Sequence, residues 1–301
     1  MVSENVTGLT AGVLGHPISH SRSPALHRAG YRALGLAVDY EAHDVTPEQL
    51  PAFMADLTGR WLGLSVTMPL KSAMMAEVDR FSPRAERLGF LNTVVWDEAG
   101  TSTAYNTDVE GIVESLAFAG YDTSVTGGRM GILGGGGTAA AAIAAAQLME
   151  LAGVDLFVRT PAKAAEHAEL ARGFGLEPEI RLLADFPTAA PGFRAVVATL
   201  PPRAADPTAG LLAAAGRGAG GLPPLLDAAY DPWPSALATA WESGGGQVVS
   251  GLEMLLYQAV EQVRLCSERA LPAGSTPDWG AVTAAMAAAV DLPSRTPSSA
   301  K

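Results

Sequence analysis

Three polar segments hold the residue types that acid–base and hydrogen-bonding chemistry requires. Gly15-His16-Pro17-Ile18-Ser19-His20-Ser21-Arg22-Ser23-Pro24 is dense in hydroxyls. Gly63-Leu64-Ser65-Val66-Thr67-Met68-Pro69-Leu70-Lys71 sets a lysine shortly after a threonine. Asn92-Thr93 and Tyr105-Asn106-Thr107-Asp108 repeat a short Asn-Thr element. Together they offer hydroxyls for a carboxylate, amides for ligand hydroxyls, and a lysine with an aspartate for proton transfer. Taken singly, each also has an ordinary reading. Ser21, Ser23 and Asp108 suit helix caps, Asn106 suits a turn, and Lys71 suits an exposed surface.

A fourth segment is built from glycine. Met130-Gly131-Ile132-Leu133-Gly134-Gly135-Gly136-Gly137-Thr138-Ala139 places Gly134, Gly136 and Ala139 in the G-x-G-x-x-G/A register. Gly134 allows the tight turn, Gly136 lets a pyrophosphate approach the backbone, and Ala139 lets the helix pack close to the strand. The N–H groups opening that helix then face the anion. The tip of the next strand reads Leu156-Phe157-Val158-Arg159-Thr160, without the acid that holds the ribose hydroxyls of NAD. Arg159, and Lys163 beyond it, suit a 2′-phosphate, so NADP is the expected cofactor. The alternative is a pair of solvated surface cations.

The elements that must position these residues alternate. Strands are expected at Leu9 to Leu14, Val38 to Ala42 and Gly63 to Thr67, and a hairpin at Thr93 to Trp96 and Thr101 to Tyr105. Helices are expected from Ser23-Pro24 to Leu34, from Thr46 to Leu57 and from Lys71 to Val78. A second unit opens with a helix from Asp108 to Ala119. Strands follow at Arg129 to Leu133, Val154 to Val158, Ala195 to Ala198, Leu225 to Ala228 and Gln247 to Val249. Helices at Thr138 to Leu151 and Pro161 to Arg172 lie between them, and Gly251 to Arg269 forms a last long one before a weak helix near Ala281 to Val290. This pattern predicts an α/β protein of two domains, the second a Rossmann-type array. The expected division is 1–108, 109–250, C-terminal helices at 251–290 that return to the first domain, and a disordered tail at 291–301.

Composition narrows the function classes. A net charge of −11 argues against nucleic-acid binding, which needs a basic surface. The uncharged stretch Gly131 to Met149 is Gly- and Ala-rich, with too little bulky apolar surface to favour a bilayer. Met1 to Thr10 lacks the basic start and apolar run of a secretory signal. A lone cysteine, Cys266, reads as a buried small hydrophobe and makes a reducing, cytoplasmic compartment the default. His16 and His20 do not read as metal ligands, because Pro17 breaks the helix such a pair needs and no nearby acid completes a site. His27, His43 and His167 read as surface or helix positions without a visible partner.

Over about residues 9 to 270 the chain resembles the shikimate dehydrogenase family. Gly15 to Pro24 meets its G-x-P-I-x-H-S-x-S-P pattern, and Ser65 to Lys71 its [NS]-V-T-x-P-x-K, with Ser for the commoner Asn. Asn92-Thr93, Asn106 to Gly111 and Gly134 to Gly137 follow in order. Asp227-Ala228-Ala229-Tyr230-Asp231-Pro232 and Gly251 to Gln258 complete the series. The resemblance implies NADPH-dependent reduction of 3-dehydroshikimate to shikimate, a step toward chorismate and the aromatic amino acids. It implies Lys71 as the catalytic residue paired with Asp108, and Ser21, Ser23 and Tyr230 around the substrate carboxylate. Thr67, Asn92, Asp108 and Gln258 would hold the ring hydroxyls. Gly134, Gly135, Gly136, Gly137, Thr138, Arg159, Thr160, Lys163 and Thr199 would bind the cofactor, with Gly251 and Met254 near the nicotinamide. No metal is implied, and the assembly would be a monomer or homodimer.

The pattern is broken at two places. Val158 stands where an Asn precedes the Arg-Thr pair, and Val197-Ala198-Thr199 replaces Asn-Ala-Thr. A quinate or amino-shikimate dehydrogenase using NAD or NADP is the near alternative. A non-catalytic binding protein on the same fold is the distant one, disfavoured by the presence of both Lys71 and Asp108.

Overall fold

The computed structural model describes residues 8–57, 61–215 and 221–293. The chain divides into two units, one formed by 1–107 with 258–301 and the other by 108–257. The disorder expected for the tail falls largely on residues outside the described set.

The first unit runs β1 (Leu9–Gly15), α1 (Ser23–Ala33), β2 (Val38–Asp44), α2 (Leu50–Ala55), β3 (Trp61–Val66), α3 (Leu70–Ala73), β4 (Arg80–Phe81), α4 (Pro83–Leu88), β5 (Thr93–Trp96) and β6 (Ser102–Tyr105). The strands form one mixed sheet in the order β2-β1-β3-β5-β6-β4. β1 is parallel to both β2 and β3, so the chain leaves it toward one side and returns on the other. Such a switch point opens a crevice at the carboxyl ends of the strands, and the loops after β1 and β3 both lie there. Leu14, Leu64, Leu70, Met74 and Val94 form the core beneath them.

The second unit runs α5 (Asp108–Phe118), β7 (Arg129–Leu133), α6 (Gly137–Leu148), β8 (Gly153–Val158), α7 (Ala165–Gly173), β9 (Glu177–Leu182), α8 (Phe186–Ala189), β10 (Ala195–Ala198), α9 (Asp206–Ala215), β11 (Leu225–Asp227), α10 (Ala236–Ser243) and β12 (Val248–Ser250). All pairings in its sheet are parallel. The order β12-β11-β10-β7-β8-β9 is the doubly wound dinucleotide-binding arrangement, with its switch point between β7 and β10. α11 (Gly251–Ser267) starts in this unit and continues into the first, where α12 (Trp279–Ala288) packs on α1.

Several expected helices are shorter than their sequence pattern. The one expected from Thr46 begins at Leu50, because Gln49 folds its side-chain oxygen back onto the Thr46 N–H as a turn and Pro51 sits in the first helical turn. The one expected from Lys71 to Val78 is α-helical only to Ala73 and tightens into a 3₁₀ turn over Met74–Ala76, closed by the Glu77 N–H on the Met74 carbonyl. α6 stops at Leu148, and Glu150 then adopts a left-handed φ of 55°. The stretch 131–149 is thus the end of a strand, a loop and a helix of 12 residues. Among the described residues no helix is long and apolar enough to cross a membrane.

Candidate functional site

In the first unit the loops after β1 and β3 are pressed together. A Cβ on Gly15 would lie 2.4 Å from Cγ2 of Thr67, so only glycine admits this approach. The His16 N–H donates to the Met68 carbonyl and the Thr67 N–H to the Leu14 carbonyl, which ties the two loops. Pro24 starts α1 in its first turn, and the Ser23 N–H donates to Oγ of Ser21 at 3.3 Å. His16 has an acidic partner that the sequence did not reveal. Asp44, at the end of β2, lies 2.5 Å from its Nδ1, and this bond holds the Asp44 carboxyl below the usual range.

Lys71 is half-buried on α3, flanked by the fully buried Leu70 and Met74, which pin that short helix to the core. The Leu91 N–H donates to the Lys71 carbonyl at 3.2 Å, so the lysine backbone is anchored to the segment leading into Asn92.

Asn92 is 2% exposed and forms the hub of the amide cluster. Its Oδ1 accepts from the Thr107 N–H and from the Thr93 hydroxyl, both at 2.8 Å. Its Nδ2 donates to Oγ1 of Thr107 at 3.0 Å and to Oε1 of Gln258 at 3.3 Å. The paired Asn-Thr elements are therefore one knot, and Gln258 reaches it from α11. Thr107 leads directly to Asp108, a buried residue that opens α5.

His27 departs from its sequence reading. It is fully buried, its ring stacks on Tyr40 at 4.2 Å, and its Nδ1 lies 2.9 Å from the Ser23 carbonyl. A carbonyl only accepts, so Nδ1 carries the proton and Nε2 is left as a lone pair. Burial pulls its pKa down to about 4, against the weaker opposing pull of that hydrogen bond.

In the second unit the glycine loop has the shape its register implies. Gly134 has φ +116°, and a Cβ there would lie 2.4 Å from Oγ1 of Thr199. Thr199 donates both its N–H and its hydroxyl to the Leu133 carbonyl, at 2.8 and 2.9 Å. The loops after β7 and β10 thus meet at the switch point, with Thr199 in place despite the lost Asn. Gly135, Gly136 and Gly137 are exposed, and the space a Gly136 side chain would fill is open, which suits close approach of an anion. Arg159, Thr160 and Lys163 are exposed after β8, and Thr138 is half-buried at the start of α6. His167, on α7, has a partner after all: Nε2 lies 3.2 Å from the Gly136 carbonyl.

Tyr230 is 48% exposed after β11. Asp227 orders that exit by accepting from Oγ of Ser235 at 2.5 Å and from the Ala229 N–H, and burial raises its pKa. Met254 is buried, and Gly251 touches the same turn, where a Cβ would lie 2.0 Å from the Ala228 carbonyl oxygen. Gly251→Ala must push the first turn of α11 off that backbone. A stability loss of about 2 kcal/mol is expected, read as a lower thermal midpoint. An unchanged midpoint would show that the turn relaxes freely.

Comparison with known proteins identifies the family and the fold. Residues 13–94 match the family described as shikimate dehydrogenase substrate binding domain. A shikimate dehydrogenase (NADP(+)) of Rubrobacter xylanophilus is 38% identical over 280 residues, covering 91% of this chain and 94% of the relative. The crystal structure of Mycobacterium tuberculosis shikimate dehydrogenase is 38% identical, with a TM-score of 0.79 over 93% of this chain and 99% of that one. A Thermus thermophilus shikimate 5-dehydrogenase, solved in complex with NADP(H) and shikimate, is 31% identical with a TM-score of 0.75, over 94% of this chain and 100% of that one.

Proposed function

This chain belongs to the shikimate dehydrogenase family, and we propose from that premise that it catalyses the reversible NADPH-dependent reduction of 3-dehydroshikimate to shikimate. The observation that carries the reading is the Asn92 knot with Gln258, a buried set of amides and hydroxyls beside the Lys71 helix. Such a set recognises a ring bearing several hydroxyls, because each buried amide left without a partner is costly. The 3.3 Å bond from Asn92 to Gln258 is longer than the 2.8 to 3.2 Å bonds that tie Asn92 to Thr93 and Thr107, and a substrate hydroxyl replaces it with the least loss.

Ser21, Ser23 and Tyr230 bind the carboxylate in this scheme, and Thr67, Asn92, Asp108 and Gln258 bind the ring hydroxyls. Lys71 donates the proton to the oxygen that becomes the new hydroxyl and accepts it in the reverse direction, and Asp108 orients Lys71. NADPH supplies the hydride when bound. The glycine cradle at Gly134 to Gly137, with Thr138 and Thr199, fits its pyrophosphate. Arg159 with Thr160 and Lys163 fits its 2′-phosphate, and Gly251 and Met254 border its nicotinamide. Residues 1–108 serve substrate and chemistry, 109–250 the dinucleotide, and 251–290 add Gln258.

The test follows absorbance at the nicotinamide band with shikimate or quinate, against NADP⁺ or NAD⁺. Shikimate with NADP⁺ is expected to give the highest kcat/KM, and an enzyme inert with that pair would overturn the reading. Arg159→Gln should raise the KM for NADP⁺ about 30-fold and leave that for NAD⁺ unchanged, since only the former has a phosphate to lose. An equal effect on both cofactors would remove Arg159 from the phosphate site.

A further inference from the structure

A buried polar chain links the proposed substrate residues Asn92 and Ser23. Gln262, 2% exposed, stands one helical turn after Gln258 on the same face of α11. Its Nε2 donates to the Asn92 carbonyl at 2.9 Å and to Oγ1 of Thr93 at 3.0 Å. Its Oε1 accepts from the Ser65 hydroxyl at 2.9 Å. Ser65 accepts in turn from the Tyr40 hydroxyl at 2.8 Å and lies 3.4 Å from Nε2 of His27. His27 ends the chain on the Ser23 carbonyl.

The direction of every proton follows from the two ends. The Asn92 carbonyl only accepts, so the amide nitrogen of Gln262 must face it, which turns Oε1 toward Ser65. At 2.9 Å the Ser65 proton goes to Gln262 rather than to the more distant His27, and Tyr40 supplies the hydrogen that Ser65 accepts. Thr93 accepts from Gln262 and passes its own proton to Oδ1 of Asn92. Gln262 therefore grips Asn92 twice, once at the backbone and once through Thr93 at the side chain.

We propose that Gln262 is a positioning residue that fixes Asn92 relative to Ser23. Through Ser65, the Tyr40 hydroxyl bonded to it and the His27 ring stacked on Tyr40, it sets the spacing between the part of the site that holds ring hydroxyls and the part that holds the carboxylate. This inference rests on the function proposed above. A rigid ligand with a carboxylate on one side and hydroxyls on the other demands such a fixed span, and a displacement of about 1 Å at one end is felt in binding and turnover. Gln262 matters here because it is a bridging group: it bonds to Ser65 on one side and to both Asn92 and Thr93 on the other.

The experiment compares wild type with Gln262→Leu and Ser65→Ala, measuring KM for shikimate and for NADP⁺ separately. A purely structural defect lowers the active fraction, and with it the apparent kcat, without moving KM. Gln262→Leu is expected to raise the shikimate KM about tenfold and leave the NADP⁺ KM within about twofold. Ser65→Ala removes one hydroxyl, should raise the shikimate KM about threefold, and decides the question if Gln262→Leu does not fold. A shikimate KM unchanged in the folded variants overturns the proposal while wild-type turnover leaves the enzyme reading intact. Wild-type protein inert toward shikimate overturns both.

Discussion

Lys71→Met should lower kcat for shikimate oxidation about 10³-fold while moving the shikimate KM by no more than about threefold. A positioned acid–base group contributes about 10²- to 10⁴-fold, and the middle of that range corresponds to about 4 kcal/mol of barrier. Methionine keeps the length and apolar stem of lysine, and the folding of α3 rests on its neighbours: Leu70 and Met74 are both fully buried, and the Leu91 N–H bonds to the backbone at Lys71. The variant therefore isolates the ammonium. Unequal effects on kcat and KM are the signature of a group needed chiefly in the transition state. Turnover within tenfold of wild type would move the proton transfer to another residue. A matching loss in kcat and thermal midpoint would point instead to damage in α3.

Acid should unfold this protein earlier than its carboxylates alone require, because of His27. In the unfolded chain an imidazole takes up its proton near pH 6.5, whereas burial holds the native ring neutral down to about 4. Between those values the unfolded state binds more protons, so stability is undiminished above 6.5, falls as pH drops through the window, and is lowest below about 4. The full penalty is about 3 kcal/mol at 1.36 kcal/mol per unit. His27→Gln removes the titration and retains a side chain that can donate to the Ser23 carbonyl. Its urea midpoint should be lower than wild type at pH 7 and converge on it by pH 4. Parallel curves for the two proteins across that range would show that the histidine is already paired with a proton in the native state.

The sequence disclosed those features that are local in the chain. The glycine loop, the strand before it and the helix after it are contiguous, so their register could be read directly. The N-cap Ser82 with Pro83 also announces α4, and Ser235 announces α10, two helices that the periodicity alone did not bring out. β9 was missed for another reason. Pro178 interrupts its pattern, and a proline is tolerated because the strand lies at the edge of the sheet. The run of buried contacts from Ser23 to Asn92 left no local trace. Ser65 and Gln262 are 197 positions apart, and neither residue type in isolation signals a partner. The burial of His27 is hidden on the same grounds, since the histidine lies on α1 and its neighbours Tyr40 and Ser65 come from β2 and β3.

Each unit places a glycine at the exit of its first strand against a threonine from the strand across the switch point, Gly15 against Thr67 and Gly134 against Thr199, so close that a Cβ would lie 2.4 Å from the threonine side chain. The two pairs differ in what a lineage can do with them. Gly15 has ordinary backbone angles, so its obstacle is space: the Thr67 methyl group, which a prior change to serine removes, and the Met68 carbonyl oxygen at 3.0 Å, which must then give by a few tenths of an ångström before alanine fits. The reverse order passes through a clash. Gly134 is closed to both orders, because its φ of +116° would strain any side chain even after Thr199 had shrunk. Of two positions that look alike in sequence, one can drift by an ordered pair of substitutions and the other is held in place by its own backbone.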